Sequence, residues 1–235
     1  MEYFRSADSR GRADVDWLDS RHTFSFGSYY DPEHMGFGAL RVINEDRIVP
    51  GGGFDTHGHK DMEIISYVIS GALAHKDSIG NGSQIKPGEV QKMSAGSGIE
   101  HSEFNASKTE PVHFLQIWIR PNRVGIDPSY EQVYFAPEER QNTLKLIVSG
   151  SGREGAIKIS QDVEIYSAVL DVNKHLKFDV ATDRKVWVQV VKGELIINSV
   201  KLAAGDGLGL EKISEVSLAS TSDAEILLFD LAIQK

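Results

Sequence analysis

The chain contains no cysteine. That excludes disulfides, thiolate metal ligands, a cysteine nucleophile and thiol-based redox sensing together, and leaves histidine, carboxylate and backbone as the only donors for a metal. Proline is scarce, at 7 residues against 22 glycines, a balance that favours many turns and short strands over long helices. No stretch approaches the roughly 20 apolar residues of a membrane-spanning helix. The first eight residues, Met1 to Asp8, carry neither the apolar core nor the cleavage site of a secretory leader. A cytoplasmic protein without a membrane partner is expected. Positive charge is also in deficit: 25 Lys and Arg against 34 Asp and Glu give a net charge of -9. With no basic block to offset it, this argues against direct nucleic-acid binding.

What the chain does have is β-type sequence. At 235 residues it can bury a core without covalent staples, and a monomer is expected. Short apolar runs bounded by Gly, Asn, Asp and Ser recur at 39–43, 63–69, 72–76, 112–120, 143–148, 186–191, 194–198 and 225–231, a spacing typical of an all-β sandwich or barrel. Between 120 and 142 the pattern is broken by Pro121, Gly125, Pro128 and Pro137, as in a connection between two domains. A weak repeat flanks that break. Ile65 to Leu73 with Gly71, followed by Pro87-Gly88-Glu89, resembles Val188 to Leu195 with Gly193, followed by Ala204-Gly205-Asp206. Two jelly-roll barrels are expected, at 1–132 and 133–235.

Two donor pairs, one His-x-His and one His-x-Glu, carry the chemistry. His57-Gly58-His59 and His101-Ser102-Glu103 each place two donors on one strand face about 6–7 Å apart. One His-x-His is expected by chance in about one of four such chains, so the surroundings matter. Gly51-Gly52-Gly53 precedes the first pair, Glu63 follows it, and Gly96-Ser97-Gly98 introduces the second, as backbone turning tightly at a barrel mouth would require. Three imidazoles and a carboxylate suit iron, copper, nickel, manganese or zinc and are too rich in nitrogen for calcium. Such a set leaves octahedral positions open for substrate, water or dioxygen. Among the other histidines, His22 and His34 read as structural, His75 and His175 as solvated, and His113 as either a core residue or a lining residue of the barrel. Phe24, Phe26, Tyr29, Tyr30 and Phe37 read as core or as the walls for a flat aromatic substrate. The triple glycine is not followed by a phosphate-binding Lys-Ser/Thr, and no nucleophile elbow is present.

The series Gly51, His57, His59, Glu63, Gly71 and then Gly96, His101, Asn105 resembles the two motifs of the cupin superfamily. More narrowly, Tyr30-Asp31-Pro32, Met35 to Asp46, His75 to Asn81 and Gln91 to Glu103 resemble pirin and the bacterial pirin-like proteins. The resemblance spans nearly the whole chain and is most specific between about 17 and 120. It implies two tandem cupin barrels with the metal in the N-terminal one, on His57, His59, His101 and Glu103. Gly96 stands where cupins usually carry proline, and the interval from Glu63 to Gly71 is one residue longer than usual. Glu103 is therefore expected as the carboxylate ligand, with Glu63 beside it, and either could act as the base. The resemblance further implies one divalent metal, iron(II) first, and a dioxygenase acting on quercetin or a related enol, with dioxygen as co-substrate and loss of carbon monoxide. The alternative it carries is a metal-dependent or redox-dependent regulatory protein with a protein partner. A sugar isomerase ranks last, because the stretches around both histidine pairs hold little positive charge apart from Lys60. In the second half, Asp179, Ala181 and Lys185 fall where His57, His59 and Glu63 stand, so that barrel is expected to be metal-free.

Overall fold

The structure is a computed structural model, in which residues 2–233 are described. Apart from two 3-10 turns and a single-turn helix, α1 (Pro137–Arg140), its elements are strands. The first half contains β1 (Glu2–Arg5), β2 (Gly11–Val15), β3 (Leu18–His22), β4 (Leu40–Ile48), β5 (Gly53–His59), β6 (Glu63–Ser70), β7 (Leu73–Asp77), β8 (Gly82–Ile85), β9 (Glu89–Ser94), β10 (Ile99–Asn105), β11 (Val112–Ile119) and β12 (Ser129–Tyr134). The second half contains β13 (Lys145–Ser149), β14 (Ile157–Lys158), β15 (Val163–Leu170), β16 (His175–Asp179), β17 (Arg184–Lys192), β18 (Glu194–Ile197), β19 (Val200–Ala203), β20 (Gly207–Glu211), β21 (Glu215–Ser220) and β22 (Ala224–Ala232).

The chain forms two compact units. One holds Gly11–Tyr134 with Ile159–Gln161; the other holds residues 2–10, Phe135–Lys158 and residues 162–233. The division along the chain thus falls between Tyr134 and Phe135, and the N-terminal strand lies with the second half. β1 pairs antiparallel with β20, from Glu2 opposite Leu210 to Arg5 opposite Gly207. A four-residue strand has no periodicity that could name the sheet edge it will join, so this exchange left no trace in the sequence pattern.

Each unit is a pair of sheets of seven and four strands. In the first, the orders are β12-β9-β6-β11-β4-β3-β2 and β5-β10-β7-β8; in the second, β1-β20-β17-β22-β15-β13-β14 and β16-β21-β18-β19. This is the duplicated all-β architecture that the repeat predicted. Gly71 and Gly193 mark the same turn in both copies, each at φ 77. A Cβ there would lie 2.6 Å from the Pro111 carbonyl oxygen or 2.0 Å from that of Asp223. Only glycine tolerates both the left-handed backbone and the contact.

The two interiors differ in kind. That of the second unit is aliphatic, with Val188, Val190, Leu195, Ile197, Leu218 and Leu228 among its buried side chains, each contributing about 1.5–3 kcal/mol by burial. Asp179 and Ala181 are exposed there, and Lys185 pairs with Glu211 at 3.0 Å. In the first unit a polar row crosses the inward face of the seven-stranded sheet. Strand register sets His22 beside Asn44, Asn44 beside Gln116, Gln116 beside Ser66 and Ser66 beside Gln91. Buried polar groups are retained only when something satisfies them. Opposite this row stands the four-stranded sheet that carries His57, His59, His101 and Glu103.

Candidate metal centre

Strands β5 and β10 are hydrogen-bonded neighbours, with His57 opposite His101 and Ile99 opposite His59. The side chains of His57, His59 and His101 therefore converge. Their ligand atoms all lie within 4.8 Å of one another, and the ring centroids are 4.5–4.9 Å apart. Between the pairings His101–His57 and Glu103–Phe54 the register shifts by one residue. The extra residue on β5 is a bulge, which returns Phe54 to the same face as His57 and His59.

Burial pushes His59 down to about 4, helped by repulsion from His57. It pushes His101 down to about 3, helped by His57, His59 and His75. All such shifts favour the bare imidazole, the form that binds a metal. His101 is 2% exposed, and its buried Nε2 has no hydrogen-bond partner. A buried lone pair facing two other imidazoles fits a first-row divalent cation with nitrogen and oxygen ligands.

Glu103 is also 2% exposed. Gln116 Nε2 donates to its Oε2 at 2.7 Å, and Ser66 Oγ lies 3.2 Å from its Oε1 and 3.0 Å from Gln116 Oε1. Burial raises the Glu103 pKa, against the opposing pull of Gln116, His75 and Ser66. With His75 and His101 it forms a second cluster whose ligand atoms lie within 4.8 Å of one another. Among the described residues, both groups of three potential metal donors lie in the first unit.

Glu63 is placed elsewhere. Its carboxylate accepts from Ser94 Oγ at 2.7 Å and feels the Lys92 ammonium. It stands on the face of β6 opposite that of Ser66, the residue that touches Glu103. The expected adjacency failed because counting by twos does not survive a turn: Asp61, between β5 and β6, is left-handed at φ 51. His75, read as solvated, is 3% exposed and sits with its Nδ1 3.5 Å from His101 Nδ1. His22, read as structural, borders the cavity described next. His113 faces away from the interior and bonds Glu45 Oε1 at 2.9 Å. His34 lies 3.8 Å from Asp31, and His175 is exposed.

A cavity of about 430 Å³ opens on the triad, with His57, His59 and Glu103 in its wall. Phe26, Phe54 and Trp118 give it aromatic surface, while Ser20, Asn44, Asp46 and Gln116 form a polar side. This size and mixture suit an organic ligand of moderate size. Of the five aromatic residues singled out in the sequence, Phe26 borders the cavity. Phe24 and Phe37 are core residues, and Tyr30 is 73% exposed; Tyr29 covers Gly11. Trp118 and Gln116 went unnoticed, although alternation on β11 puts both on the face of Phe114.

Comparison with known proteins covers nearly the whole chain. The family model described as pirin matches residues 3–119, and that described as the quercetinase C-terminal cupin domain matches residues 146–231. A protein of Escherichia coli strain K12 named quercetin 2,3-dioxygenase is 50% identical over 231 residues, covering 98% of this chain and 99% of its own. The chain belongs to the pirin family. A pirin-like protein of Caulobacter vibrioides is 40% identical, over 96% of this chain and 97% of its own. The crystal structure of the E. coli bacterial pirin YhhW in complex with nickel(II) matches with a TM-score of 0.95 at 50% identity, covering 99% of both chains. Quercetin 2,3-dioxygenase from Acinetobacter baumannii shares the fold, with a TM-score of 0.80 at 20% identity, over 100% of this chain and 87% of its own. No helix among the described residues is long and apolar enough to cross a membrane.

Proposed function

We propose that this member of the pirin family is a metal-dependent dioxygenase that opens the ring of a flavonol such as quercetin, or of a related enol, with its metal held by His57, His59, His101 and Glu103. The observation that carries the reading is the three converging imidazoles of His57, His59 and His101, two of which, His57 and His59, stand in the wall of a cavity with aromatic sides. The name of the E. coli relative supports the reaction class, and the nickel complex of the bacterial pirin supports a first-row ion. Iron(II) is the ion proposed here, since nitrogen and oxygen donors with open positions suit oxygen chemistry.

Bound there, a divalent ion would lower the pKa of an enolic hydroxyl and couple the substrate electronically to dioxygen. The chain's own groups do the rest. Phe26, Phe54 and Trp118 hold a planar ring by stacking and edge contacts. Asn44 and Asp46, on the polar side, take the hydroxyls of the far ring. Glu103 accepts the proton of the reacting hydroxyl; burial raises its pKa, which makes it a stronger base than an exposed carboxylate.

The test is oxygen uptake and loss of flavonol absorbance on adding quercetin to protein reconstituted with iron(II), with metal occupancy measured on the same sample. Turnover proportional to occupancy is expected. Full occupancy without turnover would overturn the dioxygenase and favour a metal-dependent binding protein.

A further inference from the structure

His75 and Asp77 lie behind the triad, away from the cavity, and their side chains are wholly buried. Strands β7 and β10 pair so that Glu103 is opposite His75 and His101 is opposite Asp77. His75 is therefore the diagonal neighbour of His101 on the same face. Four donors surround the Asp77 carboxylate. Ile79 N and Asn81 N give to Oδ1 at 3.1 and 2.9 Å, and Asn81 Nδ2 and His75 Nε2 lie 2.9 and 3.1 Å from Oδ2.

A carboxylate so held can only accept, so the ring proton of His75 sits on Nε2. Its Nδ1 is left bare, and that atom is the one 3.5 Å from His101 Nδ1. Two bare nitrogens would repel each other; a proton on His101 Nδ1 satisfies both. The other nitrogen of His101 is then a free lone pair, and this Nε2 is the buried atom with no partner. His57 has the same polarity: its Nδ1 lies 2.7 Å from the Asp55 carbonyl oxygen, to which it can only donate, leaving Nε2 for an ion.

We infer that the His75–Asp77 pair is a positioning device for the metal centre: Asp77 fixes the proton of His75, His75 fixes the proton of His101 on Nδ1, and His101 is thereby committed to bind through Nε2. This rests on the metal reading proposed above. His75 touches no substrate and supplies no donor to the ion. It acts through the tautomer and orientation of His101, as outer partners of metal-bound imidazoles do.

The experiment uses cobalt(II) bound to the full chain, with affinity measured by competition against a chromophoric chelator. Proton NMR of the same samples reads the paramagnetically shifted N–H resonances of the ligands. In the wild type, the His101 Nδ1–H is expected as a shifted resonance that exchanges slowly with solvent. His75→Phe should weaken cobalt binding about 10–100-fold and lose that resonance or make it exchange fast. His75→Gln can accept from His101 and donate to Asp77, and should recover most of the affinity.

Unchanged affinity and exchange in His75→Phe would overturn the inference. So would a His75→Gln variant that melts like the wild type in the metal-free form yet binds as weakly as His75→Phe, since His75 would then be a ligand itself. A wild-type spectrum showing His101 bound through Nδ1 would overturn it without any variant. A wild-type chain that takes up no cobalt would remove the metal reading, and this inference with it.

Discussion

Replacing Asp46 by asparagine should stabilise the metal-free protein at pH 8 and leave its stability unchanged near pH 4. Asp46 is 2% exposed. Burial raises its pKa from the ordinary 3.8 to about 7, against the hydrogen bond from Ser20 and with help from the nearby Glu103. Between those two values the folded chain keeps a proton that the unfolded chain has released. Stability is therefore lost as pH rises through that window and is level above it. At about 1.4 kcal/mol per pH unit, the span from 3.8 to about 7 corresponds to about 4 kcal/mol. That is an upper figure, because the side chain borders a cavity that admits water. Asparagine keeps the acceptor for Ser20 and has no proton to lose, so the difference between the two proteins isolates this one ionisation. The assay is urea unfolding at several pH values from 4 to 8 with chelator present, followed by fluorescence and circular dichroism. Parallel pH profiles for the two proteins would refute the reasoning, because they would mean that Asp46 titrates alike in both states.

Three further outcomes are expected. His101→Ala should reduce metal occupancy to background and abolish flavonol turnover, and Glu103→Gln should lower both, measured by elemental analysis beside oxygen uptake. Glu63→Gln should keep metal and turnover within about 2-fold, because Ser94 and Lys92 are its partners; loss of metal there would return Glu63 to the centre. Gly71→Ala should cost about 1–3 kcal/mol in urea unfolding, since the new Cβ would meet the Pro111 carbonyl oxygen at 2.6 Å in a left-handed turn; an unchanged midpoint would mean that the turn relaxes.

The sequence by itself determined the chemistry available. Without cysteine, and with His57, His59, His101 and Glu103 at two-residue intervals in β-type runs, a nitrogen-rich site on paired strands was legible, because side-chain parity is a property of a single strand. The duplicated barrel was legible too, since Gly71 and Gly193 mark turns that only glycine can make. What the tertiary structure decided is everything that depends on which strands face each other. Glu63 follows His59 by four residues, yet the turn at Asp61 sends it to another sheet and another face. Phe54 is an odd number of residues from His57 and joins its face through a bulge that no periodicity announces. His75 read as solvated, in the polar stretch His75-Lys76-Asp77, and cross-strand register buried it with Asp77 beside His101. Gln116 and Trp118 lie in a run read only as a strand, and Asn44 and Asp46 just past another; all four became a cavity wall because the facing sheet presents histidines instead of aliphatic side chains. Local pattern sets which way a side chain points along its own strand; the packing of one sheet on another sets what it points at.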